Sequence, residues 1–183
     1  MYEVEVKVEA DHERVRERLG QLDAEHVGSV EQVDTYYDAP HRNFAETDEA
    51  LRIRRETNRD SGETTTKVTY KGPLVEAESK TRQEFETAVD DDDAMSGVLD
   101  GLGFDPAAVV EKDREFYTVD RYTITLDAVS DLGAFVEVER EVEESAVDEA
   151  REGAFEVLRD LGLDPDEQIR TSYLGLLLEN THE

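Results

Sequence analysis

In 183 residues, 48 aspartates and glutamates face 20 lysines and arginines, a formal net charge of −28. That excess excludes ordinary nucleic-acid binding, which needs a basic stripe to neutralise phosphates, and it disfavours anionic membrane surfaces for the same reason. The longest strongly apolar run, Tyr173 to Leu178, falls far short of the roughly 20 residues of a spanning helix. Met1-Tyr-Glu-Val-Glu lacks the basic and apolar regions of a secretion signal, so the chain is expected in the cytoplasm. With no cysteine, disulfides, thiolate metal sites and cysteine nucleophiles drop out.

Tyr2 to Glu9 alternates strictly, with Val4, Val6 and Val8 on one face and Glu3, Glu5, Lys7 and Glu9 on the other, which predicts a strand. From Asp11, a candidate N-cap, Val15, Leu19 and Leu22 recur at helical spacing as far as Asp23. Val27 to Asp38, Ala50 to Thr57 and Thr64 to Lys71 are rich in β-branched and aromatic residues and predict three strands, the last two joined by a turn at Asp60-Ser61-Gly62. Residues 72 to 80 read as a mobile loop over one mouth of the structure, from their Gly, Pro and acid content.

The second half repeats this order. Lys80 to Val89 alternates, Met95, Val98, Leu99 and Leu102 mark a helix, and Val109 to Val119, Tyr122 to Val129 and Ala134 to Val142 predict strands. The chain therefore reads as one domain, residues 1–183, built from two strand-helix-strand-strand-strand repeats at about 1–72 and 80–142. Two C-terminal helices are expected within 145–180: Ser145 to Leu161, with Ser145 and Asp148 as capping residues, and Glu167 to Leu178.

The charge balance, with 15 arginines but only 5 lysines, fits an acidified surface suited to a high-salt cytoplasm, where screening lengths shrink to a few ångströms. If the surface has shed lysine, the five that remain stand out: Lys7, Lys67, Lys71, Lys80 and Lys112 all fall in or beside predicted strands. The polar strand faces are also chemically sorted. Same-parity spacing puts Glu3, Glu5 and Lys7 together, as it does Arg52 and Arg54, Lys67 and Lys71, Lys80, Arg82, Glu84 and Glu86, Lys112 and Arg114, and Glu137, Glu139 and Glu141. Closing eight antiparallel strands into a barrel with apolar residues outward under helices, an α+β fold, turns these charges into a tunnel lining. Such a lining is costly unless its charges meet ligands or one another, and internal salt bridges are the competing explanation.

Glutamates at i and i+2 on a strand point two carboxylates the same way, and Glu3/Glu5 and Glu137/Glu139 do so. With Asp127 from a neighbouring strand they form a hard-oxygen set suited to Mg²⁺ or Mn²⁺. Lys7, Arg52, Arg54, Lys71, Lys112 and Arg114 are the complementary bases, suited to a triphosphate bridged by divalent ions. His12, His26, His41 and His182 show no ligand spacing and are expected at the surface. No Gly-rich phosphate loop is present; Gly72-Pro73 ends a strand.

Glu3-Val-Glu-Val-Lys7 resembles the E-x-E-x-K signature of the CYTH family, the triphosphate tunnel metalloenzymes, which include class IV adenylyl cyclases, thiamine triphosphatases and inorganic triphosphatases. The resemblance continues in order through Asp34-Thr-Tyr-Tyr-Asp38, Ala50-Leu-Arg-Ile-Arg54, Val68-Thr-Tyr-Lys-Gly-Pro73, Lys80-Thr-Arg-Gln-Glu84 and Glu111-Lys-Asp-Arg114. It runs on through Thr125-Leu-Asp127, Leu132-Gly-Ala-Phe-Val-Glu-Val-Glu139 and Ser172-Tyr-Leu-Gly-Leu-Leu177. It implies an eight-stranded antiparallel tunnel in which Glu3, Glu5, Glu137, Glu139 and Asp127 match the metal-binding acids, with two ions expected. Lys7, Arg52, Arg54, Lys71, Lys112 and Arg114 match the triphosphate-binding bases, joined by Lys80, Arg82 and, at the C-terminal lid helix, Arg170. Glu3, Glu5, Lys7, Asp127 and Glu137 are the residues expected to carry catalysis. Similarity to the class IV cyclase branch and its archaeal relatives implies conversion of ATP to cyclic AMP and pyrophosphate, a homodimer, and a haloarchaeal source. A triphosphatase using the same tunnel and a non-catalytic triphosphate binder are the alternatives; a purely structural acidic domain would not sort its charges by strand parity.

Overall fold

A computed structural model describes residues 1–181. Its eight strands are β1 (Tyr2–Glu9), β2 (Glu25–Asp38), β3 (Ala50–Asn58), β4 (Thr64–Lys71), β5 (Lys80–Val89), β6 (Asp105–Val119), β7 (Tyr122–Val129) and β8 (Gly133–Val142). Five α-helices accompany them: α1 (His12–Gln21), α2 (Phe44–Thr47), α3 (Asp92–Gly101), α4 (Val147–Asp160) and α5 (Tyr173–Thr181). The strands close into a barrel in the order β1-β5-β4-β3-β2-β6-β7-β8, every pair antiparallel. The ring maps onto itself when β1–β4 are exchanged for β5–β8. In each half a strand and a helix precede a three-stranded meander, and the first strand pairs with its counterpart and with the last strand of the other half.

Most of the apolar core lies outside the barrel wall, while Tyr36, Val110, Val129 and Phe135 form a smaller cluster with Tyr173 on the inward face. Val6 and Val8 of β1, Ile124 and Leu126 of β7 and Val136 and Val138 of β8 point outward and pack against Val15 and Leu19 of α1 and Ala154, Val157 and Leu158 of α4. Val4 and Val142 extend that layer beneath Val147 and Ala150. On the opposite wall, Tyr37 and Ile53 meet Leu99 of α3. Helix α4 sits so close that a Cβ on Gly153 would overlap the Tyr122 hydroxyl, which donates to the Ala150 carbonyl at 2.9 Å. With one strand face committed to these layers, the period of two leaves the charged face inside.

The caps of α1 and α3 follow the acids that precede them: Asp11 accepts from the amides of Glu13 and Arg14, and Asp91 from that of Ala94. Asp91, Asp92 and Asp93 cluster at the start of α3, on the outside of the barrel, where their charge favours the helix N-terminus and Asp92 pairs with Arg55.

Several boundaries differ from expectation. The one-turn α2, capped by Asn43, is too short to show periodicity. Strands β2 and β6 begin earlier than their apolar runs, at Glu25 and Asp105, because they pair with one another along most of their length. Ser145 caps nothing: residues 144–146 form a 3₁₀ turn and α4 starts at Val147 without a side-chain cap. The last helix starts at Tyr173 rather than Glu167, since 165–167 is a 3₁₀ turn and 168–172 is drawn off to make contacts described below. His26 and His41 are exposed, as expected, whereas His12 is half-buried and bonds the Phe135 carbonyl; His182 lies outside the described residues. No helix among the described residues is long and apolar enough to cross a membrane.

Candidate active site

The barrel encloses a cavity of about 1010 Å³, and all five lysines, Lys7, Lys67, Lys71, Lys80 and Lys112, line it. Arg52, Arg54, Arg82, Arg114 and Arg170 share the lining with Glu3, Glu5, Glu84, Glu86, Glu137, Glu139 and Glu141. Tyr36, Phe44, Leu51, Leu74, Ala108, Leu174 and Leu178 give its walls an apolar component as well.

The carboxylates gather around β1. Across the β1–β8 pair, Glu5 faces Glu139 and Lys7 faces Glu137; across β1–β5, Glu3 faces Arg82 and Glu5 faces Lys80. Burial pushes Glu3 upward, yet Lys71 at 3.2 Å and hydrogen bonds from the Glu84 and Glu139 carboxyls hold it well below the usual carboxylate range. Its neighbours take the opposite course. Burial and the shared hydrogen bond raise Glu84 to about 8, and burial with the charge of Glu3 raises Glu139 well above its ordinary value. Glu5 is raised by burial and by Glu137, while Arg114 and Lys7 overcome burial to keep Glu137 ionised.

Glu3 is thus tied by hydrogen bonds to Glu84 and Glu139, and Glu137 to Glu5, as closely crowded carboxyls are. Hard oxygens held in this way fit Mg²⁺ or Mn²⁺ by donor type. They do not yet form a cage: among the described residues, the group of three carboxylates with oxygens all within 4.8 Å is Asp91–Asp93, not these.

The bases are held from behind. Asp34, fully buried on β2, accepts Arg54 through both oxygens at 2.7 and 2.8 Å and Lys112 at 3.2 Å. In the other half of the barrel, Asp127 of β7 accepts Arg114 of β6 at 2.6 and 3.0 Å, and Arg114 also reaches Glu137 at 2.6 Å. Each brace joins residues directly opposite in register, Asp34 with Arg54 and Arg114 with Asp127. Lys71 lies between Glu3 and Glu84, and Arg52 reaches Glu86 at 3.9 Å. The Arg52 Nε is buried without a hydrogen-bond partner, a donor left for an acceptor in the cavity. Burial, together with Arg54 and Arg114, presses Lys112 down to about 7 despite Asp34, and burial lowers Lys80 to about 8.

Three expected site residues are placed differently from the rest. Asp127 does not border the cavity; Arg114 and the Tyr173 hydroxyl occupy its two oxygens, so it braces a base rather than offering an open metal position. Arg82 donates to the Asp48 and Gly72 carbonyls, and Arg170 to those of Glu76 and Ser79, so both guanidiniums secure loops at the tunnel mouth. The 72–79 loop is pinned rather than loose, with Glu76 also gripped by Arg151 at 2.7 Å. Sequence reasoning passed over Asp34, Glu84 and Tyr173. For Glu84 the signal was present, since it shares inward parity with Lys80 and Arg82.

A closed antiparallel barrel whose interior is a tunnel of facing acids and bases defines a small class of proteins. The CYTH domain model matches residues 1–173, and the chain belongs to that family. A Methanocaldococcus jannaschii protein, named provisionally as an adenylate cyclase, is 37% identical over 96% of this chain and 98% of its own length. Among solved structures, the PH1819 protein of Pyrococcus horikoshii is 41% identical, with a TM-score of 0.90 over 97% of this chain and 99% of that one. A Hippeastrum protein, described as a provisional adenylyl cyclase with a dominant triphosphatase activity, shares the fold at 16% identity, with a TM-score of 0.64 over 100% of this chain and 96% of that one.

Proposed function

We propose that the tunnel binds the triphosphate of ATP together with divalent cations, and that the chain is an adenylate cyclase forming cyclic AMP and pyrophosphate. The observation that carries this is the gathering, in one cavity, of bases from β3, β4 and β6 with glutamates from β1 and β8. A triphosphate bridged by cations is the ligand that satisfies both sides of such a lining. Glu3, Glu5, Glu137 and Glu139 would hold the Mg²⁺ or Mn²⁺, two ions by the pairing of these acids. When bound, such a cation supplies charge neutralisation and Lewis-acid polarisation of phosphoryl oxygens.

The residues' own work is to bind and orient. Arg52 and Arg54 offer planar donors to phosphate oxygens, while Lys7, Lys71 and Lys112 act as point charges, and Asp34 and Asp127 fix two of the arginines so that little rearrangement accompanies charge development. In cyclisation the ribose 3′-oxygen bonds to the α-phosphorus, the bond from that phosphorus to its β-bridging oxygen breaks, and the hydroxyl proton passes to solvent. The buried bases then face the growing charge on pyrophosphate. The apolar part of the cavity, with Tyr36, Phe44, Leu74 and Leu174, suits a nucleoside and favours an organic triphosphate. The name of the M. jannaschii relative supports the same choice.

Hydrolysis of the terminal phosphate is the second reading, favoured by the activity described for the Hippeastrum neighbour. The same cage serves it with the substrate shifted in register. Incubation with ATP, and separately with inorganic triphosphate, in high salt with Mg²⁺ or Mn²⁺ tests both. Cyclic AMP with pyrophosphate is the expected result; orthophosphate without cyclic product assigns the tunnel to a triphosphatase, and tight triphosphate binding without turnover to a binding module.

A further inference from the structure

The C-terminal segment closes one part of the tunnel wall and plants Tyr173 among its bases. Gln168 donates to the Glu78 carbonyl, the Ile169 amide to the Lys7 carbonyl and Arg170 to the Glu76 carbonyl, each at 2.7 Å. Ser172 then starts α5 by accepting the Gly175 amide on its hydroxyl at 3.0 Å. A Cβ on Gly175 would lie 2.6 Å from the Thr171 methyl, so glycine permits this tight entry. Tyr173, the first residue of α5, is thereby buried at the end of the cavity, with its ring 5.2 Å from that of Phe135.

There it touches the bases of β1 and β6. The Lys7 ammonium stands 4.1 Å and the Lys112 ammonium 5.1 Å from the ring centroid. The hydroxyl donates to Asp127 at 2.6 Å, and Asp127 holds Arg114 through both oxygens. A carboxylate in the ring's place would fix the two ammoniums but neutralise them and compete with phosphate. An aromatic face attracts cations through its quadrupole and leaves their charge intact.

We propose that Tyr173 is a positioning residue for the triphosphate: its ring sets Lys7 and Lys112 without adding a negative charge beside them, and its hydroxyl, through Asp127, sets Arg114. This rests on the reading that these bases hold a triphosphate.

The test combines two measurements on Tyr173→Phe, Tyr173→Leu and a variant carrying pentafluorophenylalanine at position 173, which keeps the ring's shape and reverses its quadrupole. The first is proton NMR of the lysine ε-methylenes, few enough with five lysines to be resolved. Ring current should move Lys7 upfield relative to the more exposed Lys67 in the wild type and in Tyr173→Phe, and not in Tyr173→Leu. The second is calorimetric binding of inorganic triphosphate in chelator-treated buffer. Affinity should fall about tenfold or more in Tyr173→Leu and in the fluorinated variant, and no more than about threefold in Tyr173→Phe, where the ring remains.

Phe135→Leu loosens the same packing without facing the lysines and serves as the control for a merely structural role. The proposal is overturned if Tyr173→Leu and the fluorinated protein bind as the wild type does, or if Phe135→Leu loses as much affinity while keeping the Lys7 shift. A wild type that shows the Lys7 shift but binds no triphosphate refutes the ligand assignment itself, and with it the role given to Tyr173.

Discussion

Asp34→Asn tests whether the buried bases are held in place by charge. Asp34 is fully buried, accepts Arg54 through both oxygens and Lys112 through one, and is held well below its ordinary pKa, against burial, by Lys112 and Arg54. The amide nearly preserves volume but turns an NH₂ toward one of these donors and leaves two buried cations uncompensated. Removing one partner of a buried ion pair costs about 3–5 kcal/mol. The cavity of about 1010 Å³ beside these side chains admits water and counterions, which places the loss at the lower end, about 3 kcal/mol. At this chain length that lowers the melting temperature by about 6–12 °C.

Inorganic triphosphate without metal should restore much of the loss. Ligand at a hundred times its Kd stabilises by about 2.7 kcal/mol, and the variant, with two cations released toward the cavity, should gain more than the wild type. The sign with pH follows from the two groups. An acid with a depressed pKa contributes stability that is fully present above its unfolded value and lost only as pH falls through the folded one, so Asp34 is ionised at neutral pH. Lys112 titrates near 7 in the fold, so Asp34 has two cations to compensate below that pH and one above it. The deficit of the variant should therefore shrink as pH rises through about 7. Thermal unfolding at pH 6 and 8, with and without inorganic triphosphate, reads all of this. A variant that melts within a degree of the wild type, or equal ligand stabilisation of both proteins, would refute the reasoning.

Glu137→Gln should abolish metal-dependent turnover, a loss of at least about 100-fold, while leaving the melting temperature within a few degrees because Arg114 keeps both Asp127 bonds; normal activity in that variant removes the residue from the mechanism. Divalent metal binding near pH 7.5 should release protons, since the raised Glu139 and Glu5 give them up to bind a cation and Glu84, at about 8, loses the one it shares with Glu3 once a cation neutralises that acid. Inorganic triphosphate alone should instead take protons up, onto Lys112 at about 7 and Lys80 at about 8. Calorimetry in two buffers of different ionisation enthalpy should give slopes of opposite sign, and slopes of one sign count against the pairing of acids with metal and bases with phosphate. With a net charge of −28, stability should rise between about 0.15 and 2 M KCl as self-repulsion is screened, and a flat or falling melting temperature argues against the high-salt habitat.

The tunnel lining was legible because it rests on two local regularities. Strand parity sorts residues to one wall from the sequence alone, and Val4, Val6 and Val8 under α1 and α4 tell which wall is outside. The lysine census worked for a related reason: a surface stripped of lysine makes each remaining one informative, and all five border the cavity. Helix ends were read less well where the chain leaves its period to make a distant contact. Residues 168–172 look helical in the sequence because nothing local marks Gln168 and Arg170 as donors to the carbonyls of residues 76–79.

The division of the acids was not legible at all, and the reason is register. Asp34, Asp127, Glu5 and Glu137 share inward parity, yet two stand behind bases and two face the cavity. Which of these an acid does depends on what lies across from it on the neighbouring strand. Asp34 meets Lys112 across 78 residues of sequence and Asp127 meets Tyr173 across 46. Such pairings are set by the shear of a closed barrel, a property of all eight strands together. Asp34 and Asp127, set directly across from Arg54 and Arg114, are captured by them, whereas Glu3, set across from Arg82, pairs with Lys71 because Arg82 is drawn to the Asp48 and Gly72 carbonyls. An acid set across from another acid, as Glu5 is from Glu139, keeps its demand for a cation. For the two braced aspartates the electrostatic role thus follows from the partner in register, and a cation would be drawn to where the barrel places like beside like, at Glu5 and Glu139.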